Sequence, residues 1–232
     1  MNFQDDTKLD NPVWHSLSES HRDFAINYKN IKFYHPDYCP FGGFQIQEDN
    51  SGNIDAYSLL ADSFFIVGDK PVLSDQLVLK NELICAQMIV DSKIAVEPKD
   101  TIIQLTEEHI DALYDLVNLV QPGYFKKKTA LLGNYFGIFE NDQLVAVTGE
   151  RMKMKDFVEI SAVITHPEHT GKGYAKQLVT HAANSIFAQD KTPYLHVVEN
   201  NEGAIKLYEK LGFRTRRKIS FWHIVKDKES KI

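Results

Sequence analysis

Between residues 136 and 188 the chain changes its hydrophobic period once, and that change constrains the fold more than any other feature. Residues 136–139 and 144–147 are apolar runs flanking Asn141-Asp142, a hairpin signal, and Lys155-Asp156 separates the second strand's extension from another strand at 157–165. Three antiparallel strands therefore follow in series. From Gly173 to about Ala188 the period becomes helical, with Leu178, Val179, Ala182, Ile186 and Phe187 on one face. Strands in series followed by a long amphipathic helix predict an α+β fold built on a mixed α/β sheet.

The flanking residues extend the pattern. Residues 102–105 read as a strand, and Thr106 can cap a helix whose first turn carries Glu107 and Glu108, favourable at the positive end of its dipole. Pro122-Gly123 ends that helix. Residues 194–198 form another strand, 203–211 a second amphipathic helix closed by Gly212 at C′, and 218–225 a last strand.

The first hundred residues differ in kind. They carry 8 Lys/Arg against 16 Asp/Glu, whereas residues 101–232 carry 18 against 16. Residues 91–100 lack a sustained period and hold Pro98, which predicts a boundary there: an N-terminal α+β domain over 1–97 and a second domain over 98–232. Within the first, Ser16-Leu17-Ser18-Glu19 has capping-box spacing and predicts a helix to about Asn27. Residues 64–67 and 77–79 read as short strands bounded by turn residues.

Charge and cysteine content narrow the function classes. A formal charge of −6 disfavours a protein that works by neutralising nucleic-acid phosphates. Cys39 and Cys85 stand far apart, so neither a zinc ribbon nor a disulfide framework is expected, and the histidines show no metal-ligand spacing beside a carboxylate. His166 and His169 read as loop residues. The polar, acidic start and the lack of a run near 18 apolar residues predict a cytoplasmic protein with no membrane span.

The stretch His169-Thr170-Gly171-Lys172-Gly173-Tyr174-Ala175 lies between a strand and a helix. Its glycines let backbone approach a ligand closely, and the helix start offers unpaired N–H groups at a positive dipole end, an arrangement suited to a pyrophosphate. Lys172 would add a mobile point charge. A Walker A loop is excluded because Gly173 rather than Ser or Thr follows Gly171-Lys172, and a Rossmann loop because Lys176 stands three residues after Gly173. A Gly-rich turn that merely starts a helix is the plain alternative.

At this point the sequence resembles the GNAT superfamily of acyl-CoA N-acyltransferases. The superfamily's loop reads Arg/Gln-x-x-Gly-x-Gly/Ala; Gly173 and Ala175 match the second and third specified positions, while Thr170 departs from the first. Its second signature, Asn-x-x-Ala-x-x-x-Tyr-x-x-x-Gly-Phe, is met without a gap by Asn201, Ala204, Tyr208, Gly212 and Phe213. The resemblance spans about 102–225. It implies the GNAT fold for 98–232, with 1–97 as a smaller α+β domain open to reading as a degenerate copy. Asn11-Pro12-Val13-Trp14 and Pro40-Phe41 are similar to a bacterial two-part subgroup of acetyltransferase-like proteins.

The resemblance also implies chemistry: acetyl-CoA and an amine bind together, the amine attacks the thioester, and coenzyme A leaves. Val163, Ile164 and Thr165 would pair through their backbone with the pantetheine arm; the first two also read as core residues. Thr170, Gly171, Lys172, Gly173, Tyr174 and Ala175 would hold the diphosphate, with Ala204 and Tyr208 also beside the coenzyme. Asn201 would contact pantetheine or simply cap a helix. Tyr208, whose ordinary pKa of about 10 is near that of an alkyl thiol, would protonate the leaving thiolate, or pack as a core aromatic. Glu159 is the candidate base, sharing a face by alternation with Ser161, Val163 and Thr165, provided burial raises its pKa. Glu150 is a second candidate, and a carboxylate without a catalytic task the third reading.

Two classes stay open, an N-acetyltransferase for a small or amino-acid-like amine and a non-catalytic acyl-CoA-binding module. Arg214, Arg216, Arg217 and Lys218 read as a solvated edge or a fringe for a coenzyme phosphate rather than a nucleic-acid surface. The acidic first part would favour cationic acceptors, and a homodimer is an open assembly state.

Overall fold

The computed structural model describes residues 6–46 and 48–227. They form two compact units. One holds the described residues up to Cys85 and those from Lys218 onward; the other spans Ala86–Arg217.

In the first unit, Pro12 opens helix α1 (Pro12–Ser18), where its missing N–H costs no ladder bond, and Asn11 caps the turn by accepting from the Trp14 N–H at 3.4 Å. The helix anticipated from Ser16 to about Asn27 is therefore displaced. Ser18 Oγ turns back to donate to the Trp14 carbonyl at 2.7 Å, the helix stops, and Ala25–Tyr28 becomes strand β1. β2 (Ile31–Tyr34) and β3 (Phe41–Phe44) follow, then helix α2 (Ser51–Ser58), β4 (Ser63–Val67) and the start of β5 (Leu77–Ile89). β1, β2 and β3 pair antiparallel in sequence order, and β3 runs parallel to β4. Phe33 is the centre of this unit's core. Its ring stacks on Tyr57 at 3.9 Å and meets the edge of Phe64 at 5.7 Å.

The second unit takes the end of β5, then β6 (Ile103–Gln104), α3 (Ile110–Val120), β7 (Tyr135–Glu140), β8 (Gln143–Lys153), β9 (Phe157–Thr165), α4 (Tyr174–Phe187), β10 (Thr192–Val198), α5 (Glu202–Lys210) and the start of β11 (Arg214–Lys226). Its strand order is β5-β10-β9-β8-β7-β6. β6 to β9 pair antiparallel in succession and β9 runs parallel to β10, as a helical crossover by α4 requires. The result is the mixed α+β sheet expected from the change of period.

Helices cover both faces. Leu178, Val179, Ala182 and Ile186 of α4 bury against Val158, Ile160, Leu195 and Val197, while Leu113, Leu116 and Val117 of α3 bury against Val147 and Ile164. Thr106 caps a short 3₁₀ turn over Glu107–His109 instead of α3 itself: the His109 ring accepts from the Thr106 N–H at 3.0 Å, and α3 starts after His109.

The division of the chain falls inside strands instead of near Pro98. Ala86, Met88 and Val90 already belong to the core beneath α4. The segment after them is fastened to the same helix: Asn184 exchanges hydrogen bonds with the Ile94 backbone at 2.9 Å, and Gln177 Oε1 accepts from the Lys99 and Asp100 N–H groups at 2.6 and 2.9 Å. A linker by composition is thus a strap by hydrogen bonding. Among the described residues, no helix is long and apolar enough to cross a membrane.

Candidate active site

The site begins where two parallel strands part. β9 and β10 pair from Phe157 with Thr192 to Ile160 with Leu195, yet β9 continues to Thr165 and β10 to Val198. His196 is the first residue past the last pair. Its side chain is only 2% exposed while the residue as a whole is half-buried, so the reachable part is its main chain. A gap between parallel strands is a place where an extended ligand can dock along a strand.

A bulge re-aims β9 at the same point. Against β8, Val147 faces Ile164 and Gly149 faces Ser161, so two steps on β8 oppose three on β9, and Ala162 takes φ +51°. Before the bulge Val158 and Ile160 point to α4; after it Val163 does, while Ala162 and Ile164 turn to α3. The alternation that grouped Glu159 and Ser161 with Val163 and Thr165 fails here, because the inserted residue moves every later side chain to the other face. Ile164 is a core residue and Val163 packs partly against the α4 cluster, so both join the hydrophobic core through their side chains. Thr165 pairs with Ala146 and is half-buried.

Beyond β9, Pro167–His169 make a 3₁₀ turn and Thr170 is extended, its hydroxyl donating to the Pro167 carbonyl at 3.2 Å. Gly171 and Gly173 follow at φ +79° and +82°, conformations that cost other residues dearly. Gly173 is the residue at which α4 begins, and the first ladder bond is Gln177 N–H to its carbonyl at 3.3 Å. Among the described residues, the N–H groups from Gly171 to Lys176 meet no backbone acceptor. Gly171, Lys172 and Gly173 are exposed, and a methyl group added at either glycine would meet no atom within 4 Å. The bend is an open row of main-chain donors at the positive end of a 14-residue helix. Tyr174 is buried and Ala175 half-buried.

Lys172 is not the mobile charge expected of it. Its Nζ donates to both oxygens of Glu140 at 2.8 and 2.9 Å, and the Tyr174 hydroxyl donates to the same carboxylate.

Across the gap, Asn201 caps α5 by accepting from the Ala204 N–H at 3.1 Å, so its side-chain oxygen serves the helix. Ala204 packs partly against the α4 cluster. Tyr208, 6% exposed, sits in that cluster with its ring 6.0 Å from Phe213, and burial pushes its hydroxyl up to about 12.

Glu159 is buried, as a tuned base must be, but its neighbours reverse the consequence. Burial pushes the carboxyl up; the Arg151 guanidinium, donating through Nε and Nη2 at 2.7 Å each, and His196 Nδ1 at 2.8 Å outweigh it and hold the pKa at about 2. A carboxylate so stabilised is a poor proton acceptor, which corrects the base role anticipated for it. Glu150 is likewise engaged, by Lys153 Nζ at 2.7 Å and by Asn134 N–H at 3.1 Å.

The hydrogen bonds beyond Glu159 fix each other's directions. Arg216 Nη1 donates to Gln87 Oε1 at 3.1 Å, so Gln87 Nε2 donates to His196 Nε2 at 3.1 Å, and His196 Nδ1–H must donate to Glu159. Arg151, His196 and Gln87 are the polar residues that sequence reasoning missed, since only strand register brings residues 87, 151, 159 and 196 together. Arg214 pairs with Asp91 at 3.1 Å, in keeping with a solvated edge.

The FR47-like protein family model matches residues 135–222, from β7 into β11. A GNAT-family protein from Novosphingobium aromaticivorans superposes with a TM-score of 0.85 at 29% identity, over 94% of this chain and 98% of its own. A GCN5-related N-acetyltransferase from Kribbella flavida gives 0.64 at 13% identity over 97% and 96%, and a GCN5-related N-acetyltransferase-like protein from Streptococcus suis 0.62 at 15% over 93% and 92%. These last two speak to the fold alone. No curated protein sequence matches the chain. With an amide-lined bend beside parted parallel strands and a similar protein aligned over nearly its whole length, the chain has the fold of the GNAT acyl-CoA N-acyltransferases, and its stretch from β7 into β11 matches the FR47-like family.

Proposed function

We propose that the protein transfers an acetyl group from acetyl-CoA to the primary amine of a small or amino-acid-like acceptor, both substrates being bound at once. The observation that carries this reading is the parting of β9 and β10 immediately before the open row of N–H groups at the start of α4. Main-chain donors from Gly171 to Ala175 would bind the diphosphate without needing the missing Arg or Gln at Thr170. The pantetheine arm would lie along β9 past Val163 and Thr165, ending near the residues where pairing stops.

In the transfer step the amine nitrogen forms a bond to the acetyl carbon and the carbon–sulfur bond breaks. Tyr208, its pKa raised by burial to about 12 and so protonated at neutral pH, gives its proton to the departing thiolate and regains one from water as the amine's proton is released. The amine's proton leaves through water, since Glu159 and Glu150 are each held by a cation. That same engagement favours one second reading, a non-catalytic acyl-CoA-binding module.

Calorimetry with acetyl-CoA, followed by thiol release across a panel of amines, tests both. Binding with amine-dependent release is expected. Binding without release leaves the module, and no binding removes the coenzyme reading altogether.

A further inference from the structure

We propose that Glu140 is a resident counter-anion of the diphosphate cradle and limits how tightly the coenzyme is held. The inference rests on the coenzyme reading above. Glu140, the last residue of β7, accepts two hydrogen bonds from Lys172 and one from the Tyr174 hydroxyl, and its Oε2 lies 3.3 Å from His169 Nδ1. Lys172 and Tyr174 flank Gly173, the residue at which the row of free N–H groups turns into α4. Side chains from the bend are thus already turned toward a carboxylate supplied by another strand.

The energetics follow from charge and exposure. A diphosphate approaching this bend meets a lysine whose charge is matched, and a carboxylate within a Debye length that repels it. Lys172 can serve the phosphates only by leaving Glu140. The exchange is accessible, because the side chains are 44% and 28% exposed and neither charge is locked in the core. Backbone donors do not take part in the pair, so the cradle binds its anion without Lys172 and the pair tunes the affinity. Weaker holding eases release of coenzyme A after transfer.

The test is calorimetric titration of coenzyme A into the wild type, Glu140→Gln, Lys172→Met and the double variant, with melting curves to confirm folding. Glutamine keeps an oxygen acceptor for Tyr174 while removing the charge. At low salt Glu140→Gln is expected to bind coenzyme A about 1.5- to fivefold more tightly, the span of an exposed charge interaction. The gain should vanish near 1 M salt, where the Debye length is about 3 Å. In the Lys172→Met background it should fall by about half or more, as for groups in contact. Unchanged or weaker binding by a folded Glu140→Gln protein, or a gain indifferent to both salt and Lys172, overturns the inference. A wild type that does not bind coenzyme A fails earlier, at the coenzyme reading.

Discussion

Glu159 illustrates how one side chain reverses its chemistry according to what faces it. Its carboxyl lies at about 2 in the fold against an ordinary 4.5, so the folded pKa is the lower one. Stability from this group is complete above about pH 4.5 and is lost as pH falls towards 2, a contribution on the order of 3 kcal/mol. Denaturant melts across that range should show the wild type losing stability and Glu159→Gln lacking that part of the slope; parallel curves would contradict the pairing. Arg151→Met, which strands the carboxylate, should cost about 3–5 kcal/mol at neutral pH, more than removing both partners together. Tyr208 makes a separate prediction. Tyr208→Phe keeps the packing against Phe213 and removes the proposed proton donor, so kcat should fall by about ten- to a thousandfold with KM for acetyl-CoA little changed. A fully active variant would rule out the assignment. Both residues were legible in the sequence as groups that could do chemistry. The direction of Glu159's shift was not, because Arg151 and His196 reach it only through strand register.

At the scale of elements, legibility follows how local the signal is. The apolar period after Gly173 specifies α4 almost to its ends, and Asn141-Asp142 specifies the β7–β8 turn, where both residues take positive φ. The bulge in β9 has no comparable mark, since an extra residue exists only relative to its partner strand. Ala162 at φ +51° is the residue that bears the cost. Ala162→Gly should be neutral or stabilising by up to about 1 kcal/mol, and Ala162→Val, β-branched in a left-handed conformation, should lose about 1–2 kcal/mol or more. If the bulge aims the backbone that holds pantetheine, the valine variant should also raise KM for acetyl-CoA. Steady-state kinetics beside chemical denaturation separates this from a stability loss alone. Helix α1 shows the opposite kind of misreading: Ser16-Leu17-Ser18-Glu19 has the right spacing for a helix start, yet Asn11-Pro12 supplies a stronger one five residues earlier.

At the scale of the whole molecule, composition and connectivity disagree about where the chain divides, and the disagreement has a measurable consequence. Charge and lost periodicity point to residue 97, a position inside the strap that Gln177 and Asn184 hold to α4. A fragment starting at residue 98 would lose Ala86, Met88, Val90 and Ile94 from beneath that helix, together with Gln87, the hydrogen-bond partner of His196 Nε2. Each large apolar side chain is worth about 1.5–3 kcal/mol when buried, so the missing group is comparable to the 5–15 kcal/mol by which a domain is stable at all. The fragment 98–232 should therefore give a poorly dispersed amide NMR spectrum and no cooperative melt, while the full chain gives both. A well-dispersed fragment that binds coenzyme A would mean that β6 to β11 fold without β5, and that the strap adds nothing the core requires.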